Sequence, residues 1–340
     1  AADAMLAHAR QLGHDAQLVL PEMDDRFFVY MFGRGVPPPS NTFRWCTDQL
    51  KIEPMERSLA GLDTGGEKVL ALTGVRLGES AARDDRITAS CSRDGAECGQ
   101  GRLHLAMAGD RGNDINRYYI PGTESDPCDT LAPILHWRVC HVWDWLLMEH
   151  ADCPDHGFGD LTAMVADAYG DGGGSKLIES AARTGCVGCN LASRDVALER
   201  LCRRPEWSYL APLKRLRPLY AELKKPGNRL RKPGGETRKD GSLCANQNRM
   251  GPLTFDARRM GLAEIEAIQA DVCRGAAAAN KPPYSLIDAD ERSRILELIE
   301  ARTWPDGWRG DEPVADEPFE EWRQDGTVQR SLFAFTEGQA

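Results

Sequence analysis

Lys68-Val69-Leu70-Ala71-Leu72-Thr73-Gly74-Val75-Arg76-Leu77-Gly78-Glu79-Ser80 is the stretch on which the fold reading turns. Its first half is a continuous apolar run closing on glycine, with none of the alternation of a half-exposed strand. That pattern predicts a strand buried on both faces of a mostly parallel sheet. A glycine and an arginine then stand at the carboxyl end of that strand, where open α/β sheets place their ligands. Gly74 lets a ligand approach the backbone, Arg76 offers a bidentate clamp for an anion, and Glu79 or Ser80 caps the helix that follows.

The neighbouring segments extend the same pattern. Residues 1–12 carry Met5, Leu6, Ala9 and Leu12 on one side of a helix that stops at Gly13. Residues 16–20 read as a short strand ended by Pro21, and Gly33 to Pro39 as an irregular loop. Residues 83–100 read as a polar loop and 103–107 as another strand. Residues 131–148 read as a short strand turning into an amphipathic helix around Trp137 and Trp143. Alternating strand and helix signals predict an α/β domain. Beyond about residue 180 the signals become helical, as at 195–202 and 263–270, with a glycine- and lysine-rich loop at 226–252. The acidic, proline-containing stretch after Trp304 is expected to pack loosely.

Composition narrows the class. The chain has 340 residues, 41% hydrophobic and 28% charged, which suits a folded chain of one large or two smaller domains. No apolar run approaches the roughly 20 residues needed to cross a bilayer, so no membrane partner is expected. The opening lacks a basic head and a cleavage pattern, so a cytoplasmic protein is expected. It also reads as the middle of a helix with no Met, which predicts that the sequence begins inside a domain. Eleven cysteines in such a chain point to buried, metal-bound or catalytic thiols rather than to a disulfide framework.

Three constellations carry chemistry. Thr184-Gly185-Cys186-Val187-Gly188-Cys189-Asn190 places two thiols three positions apart among glycines, so both can bend onto one centre. Half a zinc site, a redox dithiol and half an iron–sulfur site are all compatible with this pair. Cys46, Cys153 and Cys202 are candidates for further ligands, and Cys153, in Asp152-Cys153-Pro154, has the most loop-like setting. In Phe43-Arg44-Trp45-Cys46-Thr47-Asp48-Gln49-Leu50-Lys51, the cations Arg44 and Lys51 flank a cysteine. They suit a phosphate or sulfate and are expected to favour the Cys46 thiolate. Finally, Lys214 to Arg249 holds eleven Lys or Arg against three acids, in a chain of net charge −10. Lys224, Lys225, Arg229, Arg231 and Lys232 form the centre of this run, the electrostatic footprint of a phosphate-backbone contact with DNA or RNA.

The ordered set of Arg44-Trp45-Cys46-Thr47 to Lys51, Gly74-Val75-Arg76 to Glu79-Ser80, the Trp137–Trp143 helix and Cys186 to Cys189 resembles the phosphoadenosine-phosphosulfate (PAPS) reductase-like branch of the adenine-nucleotide alpha-hydrolase superfamily. Within it, the set looks most like the DndC-type sulfurtransferases of DNA phosphorothioation. The resemblance implies a HUP-type, Rossmann-like parallel sheet flanked by helices over residues 1–180. A mainly helical region at 181–304, with the cysteine pair and basic loop, and an acidic tail at 305–340 would follow.

It also implies ATP or a related adenylyl nucleotide at Gly74, Arg76, Glu79 and Ser80, and a [4Fe–4S] cluster on Cys186, Cys189 and Cys153. Catalytic roles would fall to Cys46, Arg44 and Lys51. A cysteine desulfurase would supply sulfur, which passes to DNA backbone phosphate activated by ATP. Two features depart from the pattern. The family's Ser-Gly-Gly-x-Asp-Ser nucleotide loop is not among these residues and is expected upstream of Ala1, so normal ATP cleavage is not expected of these residues alone. The last cysteine is Cys273, so the terminal thiol of a true sulfonucleotide reductase is missing. Reduction of PAPS or its 5′-phosphosulfate relative is therefore the alternative activity, and a non-catalytic iron–sulfur subunit binding nucleic acid is the alternative role.

Overall fold

The computed structural model describes residues 2–62, 65, 67, 69–77, 104–106, 117–120, 128–135, 137–146, 186–191, 194–232, 241–242, 249–316, 320–322 and 328–330. Glu79, Ser80, Cys153, the polar stretch 83–100 and the glycines before Cys186 lie outside them. The chain divides into two compact units, Ala1–Val19 with Glu53–Arg183, and Leu20–Ile52 with Thr184–Ala340. Residues 20–52 thus join the C-terminal half, across the expected boundary near 180. Among the described residues no helix is long and apolar enough to cross a membrane.

The first unit holds helices α1 (Ala2–Gln11) and α2 (Glu53–Ala60), then strands β1 (Val69–Leu72), β2 (His104–Ala106), β3 (Arg117–Ile120) and β4 (Cys128–Ala132), and helix α3 (Val139–Asp144). The sheet order is β1-β4-β3-β2. β1 lies parallel to β4, with Val69 opposite Cys128 and Leu72 opposite Leu131, whereas β3 runs antiparallel to both β4 and β2. The described sheet is therefore mixed, with one parallel pair. β1 is its edge, and Leu70 and Leu72 are 51% and 68% exposed, so the run read as doubly buried has one open face. Residues 16–20 form no strand: Leu18 and Leu20 both point outward, and no ladder partner stands beside them among the described residues.

The longer α-helices described in the second unit are α4 (Val196–Leu201), α5 (Leu216–Leu223), α6 (Phe255–Ala278) and α7 (Ala289–Glu300). α6 starts where the Thr254 side chain accepts the Ala257 N–H, and its Leu262, Ile265, Ile268, Val272 and Ala276 recur every three or four residues on one buried face. α7 starts at a reciprocal box in which Asp288 and Glu291 accept each other's backbone N–H. Its Ile295, Leu298 and Ile299 meet Val29, Met31 and Phe32 and the apolar faces of α5 and α6 in one core. Complete burial of each such side chain stabilises the fold by about 1.5–3 kcal/mol.

Arg258, also fully buried, donates to the carbonyls of Gly33, Leu253 and Thr303 and lies over the rings of Phe255 and Trp304. No carboxylate is among these partners, and burial holds its pKa down at about 9.

The stretch after Trp304, expected to be loose, is packed as far as residue 316. Leu230 bridges Val314, Arg231 N–H donates to Pro313, and Ala315 is buried. These valine, proline and alanine contacts anchor it where charge alone suggested solvation. Strands β5 (Glu320–Trp322) and β6 (Val328–Arg330) form an antiparallel pair beyond it.

Candidate functional site

The second unit brings Cys46 together with Cys186 and Cys189. Trp45 fixes the first of these: it is buried, its indole N–H donates to the Pro37 carbonyl at 3.0 Å, and its ring stacks on Phe27 at 5.3 Å and leans on Tyr30 at 4.7 Å. Cys46 follows on a single helical turn closed by Thr47 N–H to Arg44 carbonyl. The pair is fixed by a tight turn in which Cys189 N–H donates to the Cys186 carbonyl at 3.0 Å.

Gly188 makes that turn possible. Its φ is +68°, and a Cβ there would lie 2.6 Å from Leu216 Cβ on α5. The Asp195 carboxylate accepts both Gly188 N–H and Leu198 N–H, each at 3.0 Å, so one side chain ties the cysteine turn to the start of α4. Arg217 donates to the Cys189 carbonyl at 2.8 Å, and Asn190 donates to Pro39 at 3.0 Å, joining the turn to the loop before Trp45.

Electrostatics reports the convergence. Burial pushes the Cys46 thiol above its ordinary pKa, and the charges of Cys186 and Cys189 push it further. This reverses the expectation that Arg44 and Lys51 hold it down; both cations are exposed to solvent, which screens them. Tyr220, buried on α5, is pushed up by desolvation and then by the same two cysteines. Burial and the Arg229 charge lower the Lys224 pKa, while Cys189 raises it, so Lys224 is also within electrostatic reach of the pair. Three thiols, a phenol and an ammonium therefore share one neighbourhood.

Tyr220 and the part Lys224 plays beside the thiols were not foreseen; helical spacing marks Tyr220 only as a core residue. Cys202, the other described candidate, sits at the end of α4 beside Asp195 and Lys214, half-buried and with its pKa raised by desolvation. Among the described residues no three Cys, His, Asp or Glu side chains stand close enough to hold a single ion. Cys46 is coupled electrostatically to both cysteines of the pair, and thiolates are the ligands that iron–sulfur clusters take.

The basic stretch is divided by the fold. Arg229 and Arg231 are buried, with 8% and 6% exposure. Arg229 donates to the Gly251 and Met250 carbonyls and Arg231 to the Ala315 carbonyl. Arg215 pairs with Glu264 and Asp271 on α6, and Lys225 with Glu222. Lys232 lies over the Trp308 ring at 4.8 Å. Counting charges along the chain cannot separate these anchored cations from solvent-facing ones.

In the first unit, Gly74 and Arg76 follow β1 as expected. Thr73 N–H still pairs with Leu131, and Arg76 reaches the Trp137 carbonyl at 3.5 Å. Among the described residues nothing stands within 4 Å of where a Cβ on Gly74 would lie.

Residues 34–155 match the family described as the phosphoadenosine phosphosulfate reductase domain. No curated protein matches the chain, and no solved structure does. The matched span takes in Arg44, Cys46, Lys51, Gly74 and Arg76, while Cys186, Cys189 and the basic stretch lie beyond it. Residues 34–155 thus relate this chain to the phosphoadenosine phosphosulfate reductase domain family.

Proposed function

We propose that the chain is an iron–sulfur, ATP-dependent sulfurtransferase of the PAPS reductase-like family that acts on nucleic acid, in the manner of the DndC-type enzymes. The observation that carries this reading is the convergence of Cys46, within the family match, with the Cys186–Cys189 turn outside it. Cys46, Cys186 and Cys189 would hold a [4Fe–4S] cluster. When bound, such a cluster supplies one-electron redox capacity and iron sites for sulfur.

The chain's own residues do the rest. Gly188 and Asp195 fix the turn, and Tyr220 and Leu216 shield its inner side from water. Lys224 places a positive charge beside the thiols, suited to a substrate phosphate. Gly74 and Arg76, with Glu79 and Ser80, take the adenylyl nucleotide. A cysteine desulfurase is the sulfur donor, and DNA or RNA the acceptor.

The test is direct. Anaerobically purified protein, given ATP, a cysteine desulfurase, cysteine and DNA or RNA, is expected to yield phosphorothioate dinucleotides on nuclease digestion and mass spectrometry. The full chain, with any residues that precede Ala1, is the form to assay. The name of the matched family favours one rival, reduction of a sulfonucleotide. Release of sulfite from PAPS or adenosine phosphosulfate with a thiol reductant, and no phosphorothioate, would replace the first reading with the second.

A further inference from the structure

Helix α5 turns one stripe of side chains toward the cysteine pair. Leu216 packs under Gly188, where a Cβ would lie 2.6 Å from Leu216 Cβ, and Arg217 donates to the Cys189 carbonyl at 2.8 Å. Lys224, at the end of the helix, is within electrostatic reach of Cys189. Tyr220 stands between Leu216 and Lys224, and residues spaced i and i+4 share one helix face. Its ring also reaches the other arm of the site. It meets Phe27 edge-on at 6.1 Å, and Phe27 stacks on Trp45, the residue before Cys46, at 5.3 Å. The phenol is therefore held between the segment that carries Cys46 and the helix that supports the pair.

Packing alone does not account for a tyrosine there. Its companions on the buried face of α5 are leucines, Leu216, Leu219 and Leu223, and Tyr220 itself is only 3% exposed. A buried hydroxyl costs stability unless its proton is given to an acceptor. Among the described residues no oxygen or nitrogen takes the Tyr220 proton, whereas the sulfurs of Cys189 and Cys186 are within its electrostatic reach. Burial first, and then the charges of those two cysteines, keep the phenol protonated and so able to donate.

We infer that the Tyr220 hydroxyl donates a hydrogen bond to a sulfur of the centre shared by Cys46, Cys186 and Cys189, and so sets how readily that centre accepts an electron. Donation to a sulfur draws off negative charge and favours the more negative, reduced state. Tyr220 is then a positioning residue that acts on the centre through its sulfurs. The inference rests on the iron–sulfur reading proposed above and deepens it.

The full chain, purified anaerobically and reduced stepwise with dithionite while its electron paramagnetic resonance signal is followed, tests it. Tyr220→Phe removes one oxygen and leaves the ring against Phe27. It is expected to keep its iron and to be about tenfold harder to reduce, which for one electron is a potential lower by about 59 mV. In heavy water, a deuteron coupled to the reduced centre should appear in the electron–nuclear double resonance spectrum of the wild type and be lost in Tyr220→Phe. Incorporating 3-fluorotyrosine in place of Tyr220 keeps the shape, strengthens the donor and should raise the potential. Tyr209→Phe, at a phenol whose pKa is raised by burial alone, should leave it unchanged.

Equal potentials in the wild type, Tyr220→Phe and the fluorotyrosine protein would overturn the hydrogen bond and leave the iron–sulfur reading standing. If Tyr220→Phe holds no iron, the fluorotyrosine protein decides alone, and an unchanged potential there overturns the inference. A wild type without iron would overturn both readings.

Discussion

Two of the places where the sequence points to chemistry are held very differently. At the carboxyl end of β1, a Cβ on Gly74 would meet no described atom within 4 Å, and the strand before it turns Leu70 and Leu72 outward. At the cysteine turn, Gly188 is buried against Leu216, Asp195 holds two backbone N–H groups at once, and Trp45 is wedged between Phe27 and Tyr30. The second site is preorganised by its own unit, which is what a set of converging thiols demands. The first shows a strand end at which no described side chain crowds Gly74. Tolerance to substitution should follow that difference.

The largest effect is expected in the core that supports the thiols. Arg258→Met leaves the carbonyls of Gly33, Leu253 and Thr303 without their donor and should cost about 3–5 kcal/mol, read as a fall in the midpoint of urea unfolding. Unchanged stability would mean that the buried guanidinium is dispensable. Gly188→Ala combines a left-handed φ with a clash on Leu216 and should cost about 2–4 kcal/mol by the same measure. It should also reduce bound iron.

A smaller effect is expected at the unit's surface. Asp24 accepts two hydrogen bonds from Arg294, at 2.6 and 2.9 Å, and this partner holds its carboxyl below the ordinary value of 3.8. A lowered folded pKa contributes stability above about pH 3.8 that disappears as pH falls through the folded value. Because the pair is two-fifths exposed, Asp24→Asn should cost only about 0.5 kcal/mol at pH 7, and progressively less as the pH falls below 3.8 through the folded value. The smallest effect belongs to the open strand end: Gly74→Ala should change stability by less than about 0.5 kcal/mol. A loss comparable to that of Gly188→Ala would erase the contrast between the two sites.

Local signals were legible where they depended on neighbours in sequence. The apolar run at 69–72, the strand turning into a helix after Leu131, the helix begun by Asp195 and the 263–270 part of α6 all follow from short-range patterns. What failed depended on distant partners. Doubly buried and half-open strands share one apolar run, so the exposure of Leu70 and Leu72 could not be read from it. Acidity after Trp304 hid the contacts of Val314 and Ala315 with the Leu230 segment. Arg229 and Arg231 count as basic residues in any tally, yet the fold turns them onto carbonyls. The cysteine pair was visible from its spacing, but Cys46 reaches it only through tertiary packing, and its raised pKa reflects burial that no neighbouring residue announces.

The central claim is that Cys46, Cys186 and Cys189 serve one centre, and iron and acid-labile sulfide content after anaerobic purification tests it most directly. Wild-type protein should be brown and carry both. Cys46→Ser, Cys186→Ser and Cys189→Ser should each lose most of them, and Cys202→Ala should keep them. Zinc without iron in the wild type, or full iron and sulfide in Cys46→Ser, would contradict the account.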